Sequence, residues 1–557
     1  MELRFPSTRT SLIALSFFAW GTLSATAHSA QATGFGVDHW IDGPRESVGF
    51  GQVSGVGDVN NDGYDEFMVG APYASPGGVQ NAGSVFIYSG FSRRLIHQID
   101  GTEVNQNLGL SLSRAGDVNA DGLDDIVIGS PFSTVGNKTN AGTATIYSGL
   151  DGSVLYSFQG SANNEHFGRS VSHAGDVDAD GSADIIVGTL THNAYIYSGA
   201  TGNLIYTPTP PYAWIDAHTV AGGGDLNGDG FDDFAISHPL QSDDGAPDGV
   251  VFAYSGADGS LLYEFGAPGS DIHFGVAISF AGDVNADGFD DLLIGAPGDQ
   301  DEWGGGMIRV YSGINGSLLH NIDGTHLNQA FGDSVSRAGD WDQDGHDDFM
   351  VGSGRMWSSL NGKVEIFSGA TGSKLYVLEP VNDYRMGNSI SYIGDMNGNG
   401  HPNCIAGAPG RDEHPRFGSA AILGLGPILT LSSNTVSIIN GGTIDMEMEF
   451  PPMAGGMNYK ILLSAHGTGP TKYGVEIPLT FDTMAWKSSY GIYPFPNHSD
   501  MHGNLTATGL ASASMIVPAN LPTEFLGRTF WLAAVAHPNG LKPQFTSIAQ
   551  PMLLNLF

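Results

Sequence analysis

The chain holds a single cysteine in 557 residues. Cys404 therefore excludes an intramolecular disulfide, and its distance from the N-terminus excludes a lipid-modified N-terminal cysteine. Basic residues are scarce too. Against 58 Asp and Glu stand only 21 Lys and Arg, a formal net charge of −37. That balance argues against nucleic acid and anionic membranes as partners, since both recruit clustered positive charge. The G-x-S-x-G, H-E-x-x-H and phosphate-binding glycine-loop signatures are absent, which removes three common routes to an enzyme assignment. Beyond Leu12–Leu23 there is no long apolar run.

That one run sits in a recognisable setting. Arg4 and Arg9 precede it and Ala25-Thr26-Ala27 follows, the pattern of a secretory signal peptide over residues 1–27. A membrane anchor is the rival reading, but the apolar core is short for a span. The expectation is a secreted or cell-surface monomer without membrane insertion. An exported protein that lacks disulfides needs other staples, and bound calcium is the candidate.

What is abundant is glycine, with 81 residues, and aromatics at 10%, a composition suited to short strands and tight turns. One stretch, GDVNADGFDDLLIGAP at residues 282–297, recurs as GDVNNDGYDEFMVGAP, GDVNADGLDDIVIGSP, GDVDADGSADIIVGT, GDLNGDGFDDFAISHP, GDWDQDGHDDFMVGS and a decayed GDMNGNGHPNCIAGAP. The leading aspartates are Asp58, Asp117, Asp176, Asp225, Asp283, Asp340 and Asp395, spaced by 49 to 59 residues. That period is in the range of propeller blades. Each repeat carries four strand signals, as in FGVAISFAGD, DDLLIGAP, GGMIRVYSG and GSLLHNIDG, with the acidic loop between the first and second.

The predicted fold is all-β: a seven-bladed beta-propeller over residues 28–426, then a small beta-sandwich over 427–557. The seventh repeat ends after its third strand, near Ile422–Gly424. GVDHWIDG at 36–43 has the signature of a fourth strand, so it is expected to close the last blade. From Pro427 the pattern changes, and TIDMEMEF alternates apolar and polar residues as a half-buried strand does.

Three motifs recur in fixed order: FG (Phe50-Gly51, Phe167-Gly168, Phe274-Gly275, Phe331-Gly332), the acidic loop, and GAP (Gly70-Ala71-Pro72, Gly295-Ala296-Pro297). Over residues 36–426 the chain resembles FG-GAP repeat proteins, which form the seven-bladed propeller of integrin alpha subunits. The downstream part resembles the small β-domain of some bacterial secreted FG-GAP proteins. The inserted ligand-binding domain, leg domains and membrane span of integrins have no counterpart in the sequence, so heterodimeric signalling is not implied.

Carboxylates this crowded repel unless a cation lies between them, and an oxygen-only, flexible set favours calcium over magnesium. In the fifth loop the expected ligands are Asp283, Asn285, Asp287 and Asp291 with the Phe289 carbonyl, Gly288 permitting the bend. The first loop offers Asp58, Asn60, Asp62 and Glu66 with Tyr64, the second Asp117, Asn119, Asp121 and Asp125 with Leu123. The third has Asp176, Asp178, Asp180 and Asp184 with Ser182, and the fourth has Asp225, Asn227, Asp229 and Asp233 with Phe231. In the sixth stand Asp340, Asp342, Asp344 and Asp348 with His346. The seventh keeps Asp395 alone among Asn397, Asn399 and Asn403, so six calcium (Ca2+) sites are expected. An EF-hand is excluded because position twelve is Ile294, inside a strand, where a glutamate and then a helix would be needed.

Two further groups stand out. His166, His218 and His273 hold equivalent places just before the FG or its degenerate counterpart, where they could converge at the channel mouth on a metal or ligand, or be rim residues repeated by descent. Trp214, Trp303 and Trp357 lie in variable connections on the face opposite the acidic loops, as anchors for an extracellular protein or glycan ligand or as packing between blades. The favoured function is a binding or adhesion module. An extracellular hydrolase or lyase acting on polysaccharide or phosphoester substrates is the alternative.

Overall fold

The structure is a computed structural model that describes residues 35–425, except 45–47, 192–193, 209–210, 212–218, 240–248, 267–272, 299–304, 326–329, 355–361, 379–384, 397–400 and 410–417. Beyond these it describes the backbone of strands between 428 and 555. Seven four-stranded antiparallel sheets make the seven blades of a propeller. In blade five the inner strand Ala277–Gly282, second strand Asp291–Ala296, third strand Met307–Tyr311 and outer strand Leu318–Asp323 pair in chain order. The acidic loop joins the first two, and the turn after Ser312 joins the last two.

Packing explains the strand sequences. Every residue of Asp291–Ala296 is buried, because both faces of a second strand meet neighbouring blades. Alternate residues serve opposite seams, as the two-residue period of a strand requires. Leu292 and Ile294 join Val251, Ala253 and Phe280 on one side, while Leu293 joins Ile308, Phe349 and Val351 on the other. The FG phenylalanines fill these seams: Phe274 is 0% and Phe331 2% exposed. Burying each such ring is worth about 1.5–3 kcal/mol. Outer strands have one open side, and Leu318–Asp323 accordingly mixes exposed and half-buried residues.

Polar contacts fasten blade to blade. At the rim, the Tyr156 hydroxyl donates to the Ala200 carbonyl (3.0 Å) and Tyr206 to that of Gly256. His97 Nε2 lies 3.0 Å from the Gly149 carbonyl and His320 Nε2 2.6 Å from that of Gly369. In each pair the outer strand of one blade holds the turn of the next. At the axis, Val53 N–H donates to Ser389 Oγ (3.1 Å) and Gly55 N–H to Ser391 Oγ (3.0 Å), joining blade one to blade seven.

The ring is completed by Phe35–Asp42, which pairs antiparallel with Ser419–Leu425 in the register Trp40 to Ala421 and Asp42 to Ser419. Blade seven thus takes its outer strand from before blade one. The strands from Ile428 onward belong to other sheets. One contains Ile428–Leu431, Gly442–Glu449, Leu510–Val517 and Asn497–Ser499. Another runs through Thr435–Ser437, Gln550–Asn555, Thr529–His537, Asn458–Ser464 and His502–Asn504. Among the described residues no helix is long and apolar enough to cross a membrane.

Candidate metal centres

Each acidic loop is a compact turn held by its own side chains. In the fifth, Asp283 Oδ1 accepts the Asp287 N–H (2.9 Å) and Oδ2 the Gly288 N–H (2.8 Å), while Asp287 Oδ1 accepts the Phe289 N–H (3.1 Å). Ala286 and Gly288 have φ of 56° and 92°, so the chain reverses through two left-handed residues. The second residue of each loop, Val284 here, is apolar and buried, which pins the loop to the seam. The same bonds recur at Asp58, Asp117, Asp176 and Asp340. In the fourth loop Asp225 accepts from Gly228 and Gly230.

The third-position side chains sit within this turn. Asn119 and Asn227 accept the N–H of Asp121 and Asp229 (both 2.9 Å), as Asp178 does from Asp180 (3.2 Å). Asn60 and Asn285 instead donate to Glu66 Oε1 (2.6 Å) and Asp291 Oδ1 (3.3 Å). Two seventh-position side chains are engaged elsewhere. Tyr64 stacks on Phe91 with ring centres 5.1 Å apart, and His346 Nδ1 lies 2.9 Å from the Val284 carbonyl. The main-chain carbonyls of Tyr64, Leu123, Ser182, Phe231, Phe289 and His346 are the candidate donors at this position.

The ninth residue is different in kind. Glu66, Asp125, Asp184, Asp233, Asp291 and Asp348 are all 0% exposed. Asp291 Oδ2 accepts the Val284 N–H (3.0 Å) and Oδ1 the Gly313 N–H (3.1 Å), so one carboxylate ties the loop to the far turn of its own blade. The other five make the same pair of bonds, to the N–H groups of Val59 and Gly90, Val118 and Gly149, Val177 and Gly199, Leu226 and Gly256, and Trp341 and Gly369. Burial, opposed by these donors and reinforced by the loop aspartates, pushes five of these groups up to about 7 and Asp125 to about 6. Without a cation they resist ionisation. Among the described residues two loops already gather three carboxylates with oxygens within 4.8 Å: Asp176, Asp178 and Asp180, and Asp340, Asp342 and Asp348.

The seventh loop supplies a comparison within the same chain. Asn403, also 0% exposed, accepts the Met396 N–H through Oδ1 (3.1 Å) and donates to the Leu423 carbonyl (3.4 Å). A neutral amide therefore staples this blade. Tying loop to blade does not of itself demand a charge, and the six buried carboxylates fit a set of cation ligands. Asn397 and Asn399 lie outside the described residues.

The eighth position escaped the sequence reading. Asp232 Oδ2 accepts the Asp176 N–H (2.9 Å) and Asp347 Oδ2 the Asp283 N–H (3.1 Å), so consecutive loops are chained across the seams. The glycine before each leading aspartate makes room for this residue. A Cβ on Gly282 would fall 2.1 Å from Asp347 Oδ2. Desolvation raises Asp65, Asp124, Asp232, Asp290 and Asp347 above the ordinary aspartate range. An aspartate repeated in five loops was the available signal.

Of the three histidines, His166 and His273 are described, and each has its own separate contacts. His166 packs edge-on against Phe132, with ring centres 4.9 Å apart, and His273 Nδ1 lies 3.4 Å from the Gly298 carbonyl. These contacts lie in different blades. His218 and the three tryptophans, Trp214, Trp303 and Trp357, lie outside the described residues, as do residues 1–27.

Among known proteins, the FG-GAP repeat family matches residues 50–88, 109–147 and 274–311. Integrin alpha-5 of Xenopus laevis is 29% identical over 291 residues, covering 48% of this chain and 27% of its own length. Integrin alpha-V of Gallus gallus is 25% identical over 361 residues, covering 60% and 34%. The chain thus spans about a third or less of these relatives. A chain in the crystal structure of BBS1N in complex with ARL6DN overlays with a TM-score of 0.46 at 12% identity, over 71% of this chain and 97% of that one, too distant a likeness to inform function. The chain thus carries FG-GAP repeats within a seven-bladed β-propeller, and that propeller is similar to the one in integrin alpha subunits.

Proposed function

We propose that the protein is a secreted, calcium-stapled propeller that works as a binding or adhesion module for an extracellular protein or glycan, and not as an enzyme. The observation that carries the calcium reading is the buried ninth carboxylate, present in six loops and replaced in the seventh by an amide that performs the stapling alone. Calcium would be held by the first, third, fifth and ninth side chains of each loop with the seventh carbonyl. Its charge would neutralise oxygens that otherwise repel, and it would fix the register of the inner strands. The signal peptide over 1–27 and a β-sandwich domain from residue 427 belong to the same proposal.

Binding is favoured over catalysis because the repeats leave the scaffold regular while the connections on the opposite face vary. Those connections, from second to third and from fourth to first strands, are where a rigid propeller displays recognition. Trp214, Trp303 and Trp357 are the proposed anchors there.

Metal analysis of protein purified without chelator should find about six calcium ions per chain, falling by about one in Asp287→Ala and unchanged in Asp395→Ala. Finding no calcium, with melting indifferent to added calcium, would overturn the metal reading. A glycan and matrix-protein array run beside a turnover screen of polysaccharides and phosphoesters tests the rest. Turnover without any binding partner would favour the hydrolase or lyase.

A further inference from the structure

The residue three places before each leading aspartate faces the propeller axis, and this column varies while its neighbours repeat. It reads Gly55, Arg114, His173, Gly222, Phe280, Arg337 and Tyr392, and all seven line one cavity of about 310 Å³. Two residues further from the loops, every blade contributes a branched aliphatic to the same cavity, from Val53 to Ile390. Asp65 and Asp124 are the acidic residues of the lining, which also includes six serines. The cavity is therefore layered, with an apolar base and a basic and aromatic middle, and it carries acidic groups as well.

The two arginines feel carboxylates only at longer range, Asp65, Asp124 and Asp232 acting on Arg114 and Asp290 and Asp347 on Arg337. Arg114 Nη2 lies 2.8 Å from His173 Nε2. Burial and the adjacent guanidinium push the half-buried His173 down to about 3, so it is neutral and can accept. Arg337 lies over the Tyr392 ring, 4.8 Å from its centre. Among the described residues neither guanidinium is ion-paired with a carboxylate. Each keeps donors in the planar fork that matches a carboxylate. A simple anion would meet Asp65 and Asp124 as well as the guanidiniums, and a simple cation would meet the two guanidiniums. A molecule carrying both charges a few ångströms apart satisfies both kinds of group.

We infer that this axial cavity binds a small zwitterion, an α-amino acid with an apolar side chain. Its carboxylate sits between Arg114 and Arg337, its ammonium faces Asp65 and Asp124, and its side chain rests on Phe280, Tyr392 and the aliphatic base. The volume is at the small end for ligand pockets, which suits a molecule of this size.

Calorimetric titration of the calcium-loaded full chain with L-leucine, L-valine and L-phenylalanine tests this. At least one should bind saturably with a dissociation constant of about 1 mM or tighter. For leucine, 4-methylpentanoate lacks the ammonium and leucinamide lacks the carboxylate, and each should bind about tenfold or more weakly. Arg337→Met should abolish binding while leaving the calcium content and melting temperature near those of the parent, because Arg337 is exposed to the channel. If that variant fails to fold, Arg337→Lys keeps the charge, loses the fork and should weaken binding about tenfold. No saturable heat from any of the three amino acids overturns the proposal. So does equal affinity for a singly charged analogue, or affinity unchanged in the folded Arg337 variant.

Discussion

At the residue scale, the ninth loop position separates two tasks that a carboxylate can perform together. It accepts backbone N–H groups, which is structural, and it carries charge into a dry seam, which is costly unless a cation is near. Asn403 performs the first task without the second. Asp291→Asn should therefore keep the bond from Val284, lose the one from Gly313, and remove about one calcium ion from the protein. The rise in melting temperature on adding calcium should shrink accordingly. An unchanged calcium count in a folded Asp291→Asn protein would assign the residue to stapling alone.

At the element scale, a blade is marginal by itself and is made stable by its seams. Gly282 sits at φ 83°, and its missing side chain admits Asp347 from the next blade. Gly282→Ala should cost about 1–3 kcal/mol through backbone strain alone, with more from the displaced aspartate, read by denaturant unfolding. A loss under about 0.5 kcal/mol would mean that the seam relaxes freely. The closing strand works at the same scale. Deleting residues 28–43 removes the partner of Ser419–Leu425 and leaves an unpaired edge on blade seven. The truncated protein should aggregate or melt well below the parent without losing any metal ligand. Equal melting would place closure elsewhere.

For the whole molecule, calcium and pH should act with opposite signs. A carboxylate near pKa 4 in the unfolded chain and at about 7 in the metal-free fold binds more protons folded than unfolded between those values. Stability without calcium should therefore fall as pH rises from about 4 to 7. With calcium the ionised loops are the binding form, and stability should rise over the same range. Melting curves at several pH values, in metal-stripped buffer and in calcium, check the two slopes. Slopes of the same sign would mean that these six groups do not govern the response. Each site filled at about 100 times its dissociation constant adds about 2.7 kcal/mol, so six sites could rival the net stability of a domain.

The sequence by itself determined the blades, because a repeat writes the same local physics seven times: an apolar run for the buried second strand, glycines for left-handed turns, aspartates for a tight acidic loop. It also contained the closing strand, since Val37–Gly43 repeats the pattern of a fourth strand whose own blade lacks one. Tertiary structure decided what happens where blades meet. That the ninth carboxylate is wholly buried and bound to two backbone N–H groups depends on a turn 15 to 24 residues away. That the eighth aspartate reaches the preceding loop depends on the angle between blades. His166 and His273, equivalent in sequence, make contacts in different blades, whereas Arg114 and Arg337, separated by 223 positions in the chain, share one cavity. Periodicity places a residue within its blade, but only closure of the ring brings seven inner strands to a common axis.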